Sequence, residues 1–465
     1  MSHAKASERV LSTLNVDGSR RWLRPKLSEG KFWKWRRVVA YGLMFLFFII
    51  PYLELNGKPL ILLDIPRREF TIFGTTFLPT DTLLFMLLFL SIGVAIFLLT
   101  ALFGRVWCGW ACPQTVYMEF LFRPIERLFE GGRTGSLAID RAGGWSVRRV
   151  AKYGVYLLLA LFLAHTFLAY FVGIDRLVEW VQLSPVEHPT AFIIMAGTTA
   201  AIFFDFTYFR EQTCLVACPY GRLQSVLLDR QSLIVGYDVR RGEPRARGVK
   251  HRAETAGDCI DCGACVLTCP TGIDIRDGLQ MECIHCTQCA DACDAIMDQV
   301  DKPRGLIRYT SRDAVEGKPV HLLRPRVILY PLALSLSLGL LFYFLGTKQD
   351  TDVTILRGLG APYTLEADGR VLNQIRIRVT NRSDHPRDYQ IALDGVEADV
   401  ISPENPLPVA AGEIRTTSIF VRISPDAFSR GRKAVSIRLD DGQGFSGSYE
   451  YSLVGPEGAP GGGGR

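Results

Sequence analysis

Hydrophobic residues gather in five runs, and one later region alternates apolar with polar side chains. The runs lie at 38–53, 82–103, 153–174, 191–206 and 327–346. The second, TLLFMLLFLSIGVAIFLLTALF, and the fifth carry no charge, over about 20 residues, the length a helix needs to cross a hydrocarbon layer. The fourth is short and ends at Asp205. Five transmembrane helices are expected. Past them, QIRIRVT, TSIFVRI and AVSIRLD have the period of half-buried strands, separated by the turn signals EADG, NRSD and DDGQG. About seven short strands over 351–455 predict an immunoglobulin-like sandwich. It holds one histidine, His385, and no cysteine, so docking or spacing is its expected role, and GAPGGGGR predicts a flexible tail over 456–465.

Charge gives the runs a direction. Lys and Arg number ten in residues 1–37, three in 54–81, eight in 104–152, one in 175–190 and 17 in 207–326. Basic loops stay inside, which predicts a cytoplasmic N-terminus and, after five spans, a periplasmic C-terminus. Arg36 and Arg37, beside Trp33 and Trp35, are expected to form an interfacial entry to the first span. That span begins only after the ten basic residues, so no cleavable signal is expected. The result is a multi-domain membrane protein. Residues 1–37 form a cytoplasmic segment, and 38–206 a four-helix membrane region. Residues 207–326 form a cytoplasmic region, with a ferredoxin-like α+β insertion at about 255–297. A fifth span at 327–346 leads to the all-β sandwich. The formal charge of +6 comes without basic patches interleaved with aromatics, which argues against nucleic acid as partner.

All 12 cysteines fall between Cys108 and Cys293 in four tight groups, a pattern of metal or redox work and not of a scattered disulfide framework. CIDCGACVLTCP carries Cys259, Cys262, Cys265 and Cys269, and CIHCTQCADACD carries Cys283, Cys286, Cys289 and Cys293. Each is a C-x2-C-x2-C-x3-C run, in which three thiolates wrap one corner of a cubane and the fourth crosses to the other cluster. This assigns Cys259, Cys262, Cys265 and Cys293 to one [4Fe–4S] cluster, and Cys283, Cys286, Cys289 and Cys269 to its partner. Zinc knuckles use ligand pairs around a long spacer and fit the runs poorly. Asp294 stands where the second run would have a proline like Pro270, at an expected cost in local rigidity but not in ligation. His285, inside that run, is expected to face solvent.

The remaining cysteines form CGWACP (Cys108, Cys112) and CLVACP (Cys214, Cys218), each after an apolar run and at its expected cytoplasmic end. Their surroundings, VWCGWACPQTVYMEFLF and EQTCLVACPYGRLQSVLL, repeat loosely, as an internal duplication would. Cysteines four apart on a helix share a face, so two such helices could converge four soft ligands suited to Cu(I), zinc or an iron–sulfur centre. Spacing does not choose between copper and a further iron–sulfur cluster. No GxGxxG after a strand and no P-loop is present. His165, alone in its span, is expected to pack or hydrogen-bond between helices.

The paired CxxxCP groups, the two-cluster runs, the late single helix and the outer sandwich together resemble the CcoG family, also called FixG or RdxA, over nearly the full length. The resemblance implies a cupric reductase of the bacterial inner membrane that supplies Cu(I) during assembly of a cbb-type cytochrome oxidase. It implies Cys108, Cys112, Cys214 and Cys218 as the redox or copper-binding cysteines. Expected partners are the oxidase assembly machinery, a copper transporter or chaperone, an unidentified cytoplasmic electron donor and a second copy of the chain as a homodimer. Two other classes stay open: a quinol-linked polyferredoxin subunit of an anaerobic respiratory chain, and a copper-binding assembly factor whose clusters are structural.

Overall fold

The computed structural model describes residues 11–456, except positions 16, 56, 67, 79–80, 249–254, 322, 348–349 and 384. Beyond Pro456 the expected tail lies outside the described residues. The chain divides into two compact units, Met1–Phe342 and Tyr343–Arg465.

In the first unit, helix α1 (Lys31–Ile49) leads to a three-stranded antiparallel sheet, β1 (Ile61–Asp64), β2 (Glu69–Ile72) and β3 (Thr75–Phe77). Helix α2 (Thr82–Phe103) follows, then the short α3 (Val106–Trp110) and α4 (Pro113–Tyr117), then α5 (Val147–Val172) and α6 (Pro189–Phe204). After α7 (Pro219–Leu227) come strand β4 (Ile234–Tyr237), α8 (Ala264–Thr268), α9 (Gln288–Gln299) and β5 (Ile307–Thr310), with α10 (Pro325–Gly346) last. Among the described residues five helices are long and apolar enough to cross a membrane, on α1, α2, α5, α6 and α10. Among the described residues Phe45, Phe89, Leu158, Ile193 and Leu332 stay exposed, as side chains turned to lipid would be.

Two boundaries differ from the sequence reading. Helix α1 begins at Lys31, well before the apolar run, because Trp33, Arg36 and Ala40 line one buried face at helical spacing. Arg36 is therefore not an interfacial anchor: it is 0 % exposed, while Trp35 and Arg37 point outward. The fourth span does not stop at Phe206 but runs to Phe209 through a π-helical turn, Asp205–Phe209.

The cysteine region has its own core. Strand β4 pairs antiparallel with β5, Tyr237 opposite Ile307. This tie joins the start and end of the segment around Val235, Tyr237, Ile273, Ile275, Met297 and Leu306.

The second unit is a two-sheet antiparallel sandwich. One sheet runs β9 (Asp399–Ile401), β11 (Ile414–Ile423), β7 (Val371–Asn381), β6 (Thr351–Arg357), with Thr364–Leu365 also on β7. The other runs β10 (Leu407–Val409), β8 (Arg387–Asp394), β12 (Arg432–Asp440), β13 (Ser446–Val454). Alternate residues of β7, including Val371, Ile375, Ile377 and Val379, are fully buried against Ile419, Val421, Ile437 and Leu439, the two-residue period expected of sheets facing one core.

Candidate metal centre and electron path

The two cysteine runs fold alike. In the first, Asp261 and Gly263 have positive φ (50° and 69°); in the second, His285 and Thr287 do (54° and 58°). These matching left-handed residues, costly for non-glycines, turn each loop back on itself before α8 and α9 begin. The runs then diverge. Pro270 cannot continue a helix, so α8 stops at Thr268 and leaves Cys269 extended. Asp294 lifts that restriction, and α9 carries Cys293 in mid-helix to Gln299. The Asp294 carboxylate accepts the Gly305 amide at 2.8 Å, so its effect is an anchor and not the expected loss of rigidity.

Cys259, Cys262, Cys265 and Cys293 line one cavity with Tyr237, Met297 and Leu306. Cys269, Cys283, Cys286 and Cys289, again with Cys265, line a second. The fourth cysteine of each run thus reaches the other run's cavity. Apolar, sulfur-lined cavities suit iron–sulfur clusters. Burial pushes the thiols of Cys265, Cys283 and Cys293 up to about 12 and that of Cys286 to about 11. Metal binding must displace those protons, so loading depends on pH.

The CxxxCP groups are not continuous helices. Proline disfavours the α conformation in the residue before it. Cys112 accordingly breaks α3 from α4 with ψ 127°, and Cys218 precedes α7 with ψ 108°. Each pair straddles a break, so the shared helical face expected of them does not form. The duplication is nevertheless visible in the backbone. Gly104 (φ 59°, ψ −127°) and Arg210 (φ 53°, ψ −120°) occupy equivalent positions, each four residues before the first cysteine of its group. At Gly104 a Cβ would lie 2.2 Å from the Leu233 carbonyl oxygen; at Arg210 the strained turn is held by ion pairs to Glu126 (3.0 Å) and Glu211 (3.7 Å).

The four thiols feel one another. Burial first, then Cys112, Cys108 and Cys218, pushes the Cys214 thiol up. Burial also raises Cys108 to about 11, opposed by the Arg105 guanidinium. The Cys108 thiol donates to Gln224 Oε1 at 3.0 Å.

One contact joins the two sites. Cys108 shares one buried hydrophobic cluster with Ile284 and Cys286. Gly109 permits it: a Cβ there would sit 2.6 Å from the Ile284 carbonyl oxygen and 2.9 Å from the Cys286 backbone. Asp291 on α9 accepts the amides of Phe32 (3.1 Å) and Trp33 (2.7 Å) at the start of α1. Gln288 donates to Glu119 at 3.2 Å, and Glu119 and Glu211 both pair with Arg123. This buried network binds both CxxxCP segments to the cluster helix.

His285 does not face solvent. It is 0 % exposed, and its Nδ1 accepts the Arg105 amide at 3.1 Å. Burial, and then Arg105, hold its pKa down at about 3, so it is neutral. His165 bonds the Leu161 carbonyl of its own helix at 2.8 Å, not a neighbouring helix. Sequence reasoning missed Arg105, Gln224, Asp291 and the inward face of Arg36; only Arg36 left a trace, in its three-residue spacing from the buried Trp33.

A helical membrane unit carrying sulfur-lined cavities defines a membrane-bound iron–sulfur electron-transfer protein. Residues 84–131 match the 4Fe-4S binding domain, 209–312 the 4Fe-4S dicluster domain, and 341–456 the IG-like fold at the C-terminal of FixG. Nitrogen fixation protein FixG of Rhizobium meliloti is 30% identical, over 91% of this chain and 90% of its own. Protein RdxB of Cereibacter sphaeroides is 35% identical, over 85% and 88%, and Protein RdxA of the same organism 33%, over 92% of both. The chain belongs to the FixG/RdxA family.

Proposed function

We propose that this protein reduces Cu(II) to Cu(I) at the CxxxCP cysteines with electrons carried by two [4Fe–4S] clusters, in the bacterial inner membrane, for assembly of a cbb-type cytochrome oxidase. Cys259, Cys262, Cys265 and Cys293 would hold one cluster, and Cys269, Cys283, Cys286 and Cys289 the other. Such clusters supply one-electron transfer. The observation that carries the reading is that Cys108 shares one buried hydrophobic cluster with Ile284 and Cys286, with Gly109 abutting the Cys286 backbone, so the first CxxxCP group lies beside a proposed cluster ligand. Cys108, Cys112, Cys214 and Cys218 are soft donors that favour Cu(I) over Cu(II). Each Cu(II) takes one electron, so two reduced clusters convert two ions with no proton required. Copper enters as substrate from a transporter or chaperone and leaves toward the oxidase machinery; the cytoplasmic face receives the electron donor.

A second reading, a quinol-linked electron-transfer subunit, draws on a separate feature. An apolar cleft of about 810 Å³ between α1, α5 and α6 is lined by Phe47, Tyr117, Phe167 and Phe206 and has Gln114 and Asp205 beside Pro113. Lipid-soluble head groups suit such a cleft.

Anaerobic titration of the reduced protein with Cu(II), following cluster absorbance, separates the readings. Clusters oxidised by copper support reduction, clusters oxidised only by a quinone support the second reading, and copper bound without oxidation means a binding factor. Cys108→Ala/Cys112→Ala and Cys214→Ala/Cys218→Ala should each lose Cu(I) formation as fully as the quadruple variant, since residues acting as one unit are non-additive. Iron per chain should hold. A dispensable pair would refute a shared copper site.

A further inference from the structure

Arg36 is a buried cation without an ionic partner among the described residues. It is fully buried; its Nε donates to the Gly109 carbonyl at 2.8 Å, and neither Nη1 nor Nη2 has a hydrogen-bond partner. The Phe120 ring lies 5.4 Å from the guanidinium carbon and supplies only part of what burying a guanidinium costs. Gly109 itself abuts the Cys286 backbone, so the guanidinium sits where the first CxxxCP group meets the second cysteine run. The acids on this side are engaged elsewhere, Glu119 by Arg123 and Asp291 by two α1 amides. Arg105 adds a second cation, its backbone holding His285 and its guanidinium bonding the Met281 carbonyl.

The other cavity is balanced differently. Arg276, near Cys265, is neutralised by Asp274 (2.6 Å) and Asp261 (2.5 Å). Arg241 is neutralised by Asp258 at 2.5 Å, and Cys262 is exposed. One site has ion-paired arginines and an exposed cysteine; the other has a buried guanidinium with no salt bridge among the described residues.

We infer that Arg36 sets the direction of electron flow, its guanidinium favouring reduction of the cluster held by Cys269, Cys283, Cys286 and Cys289 over that of its partner. The inference rests on the two-cluster reading above. Reduction adds a negative charge, and a fixed cation at low dielectric favours the more negative state. Electrons entering at the exposed Cys262 end then run downhill to the end that lies beside Cys108.

The test is an anaerobic redox titration of the full-length protein in detergent, followed by electron paramagnetic resonance. Cys293→Ser, which should remove the first cluster alone, assigns the couples. In the unaltered protein the Cys283-run cluster should be at least tenfold easier to reduce, about 59 mV for one electron. Arg36→Gln should remove at least a tenfold advantage from that cluster and move the other less than threefold; Arg36→Lys should retain most of it. Pulsed resonance on protein labelled with ¹⁵N-arginine should show nitrogen coupled to that reduced cluster, a readout that needs no variant to assemble. Equal potentials, a shift in the wrong cluster, or no nitrogen coupling would overturn the role of Arg36. Absence of any cluster signal would remove the two-cluster reading itself, and this inference with it.

Discussion

Cys293 sits in mid-helix, six residues past the last left-handed residue of its loop, yet it lines the cavity of the other run. A serine there removes one thiolate from the cluster assigned to Cys259, Cys262 and Cys265 and none from its partner. Iron per chain should therefore fall by half in Cys293→Ser, with one resonance signal lost and the other intact. Loss of the signal assigned to Cys283, Cys286 and Cys289 instead would refute the crossed pairing. The gathering of the eight cysteines around two cavities was legible in their local spacing, which is the spacing cluster ligation requires. His285 and Arg36 were not, because each is buried by contacts that sequence distance hides. Arg105, 180 residues away, bonds His285, and Gly109, 73 away, bonds Arg36. A polar residue in a loop or at a helix entry is ordinarily exposed, and nothing local marks the exception.

At the scale of elements, α3 depends on one missing side chain. Any Cβ at Gly109 collides with backbone at Ile284 and Cys286, and backbone cannot swing aside as a flexible side chain can. Gly109→Val should cost about 1–3 kcal/mol through overpacking, seen as a lower unfolding temperature. It should also slow Cu(I) formation at least tenfold while iron per chain holds. Full copper reduction in a destabilised variant would mean that electrons do not pass through this contact. The apolar runs located the five long apolar helices among the described residues; about twenty uncharged residues made α2 and α10 plain, while the shorter runs of α1 and α6 misplaced their ends. The sheet β1–β3 escaped, since strands of three or four residues are too short to show a period. The breaks at Cys112 and Cys218 were encoded in the prolines that follow them. Their effect on the preceding residue was outweighed by the i, i+4 spacing, which gave a helical face where the chain bends.

For the whole molecule the sharpest expectation is sidedness. Five spans place the two chain ends on opposite faces, and basic loops hold the inside. Residues 1–37, 104–152 and 207–326 carry ten, eight and 17 Lys and Arg, against three in 54–81 and one in 175–190. The bias governs insertion through short loops and the residues flanking each span, so the N-terminal segment and the loop after α2 carry this argument more than the long 207–326 region. The large third loop also contains every cluster cysteine, and iron–sulfur ligands need thiols kept reduced, which the cytoplasm provides and the periplasm does not. Two independent arguments thus give one orientation. A periplasm-active reporter fused after Tyr451, in the last strand of the sandwich, should be active, and the same reporter near Gly248 should be silent. A cytoplasm-active reporter should give the reverse. Activity at Gly248 alone would turn the molecule over. The cysteine runs would then face an oxidising compartment, and the donor could not be a cytoplasmic reductant.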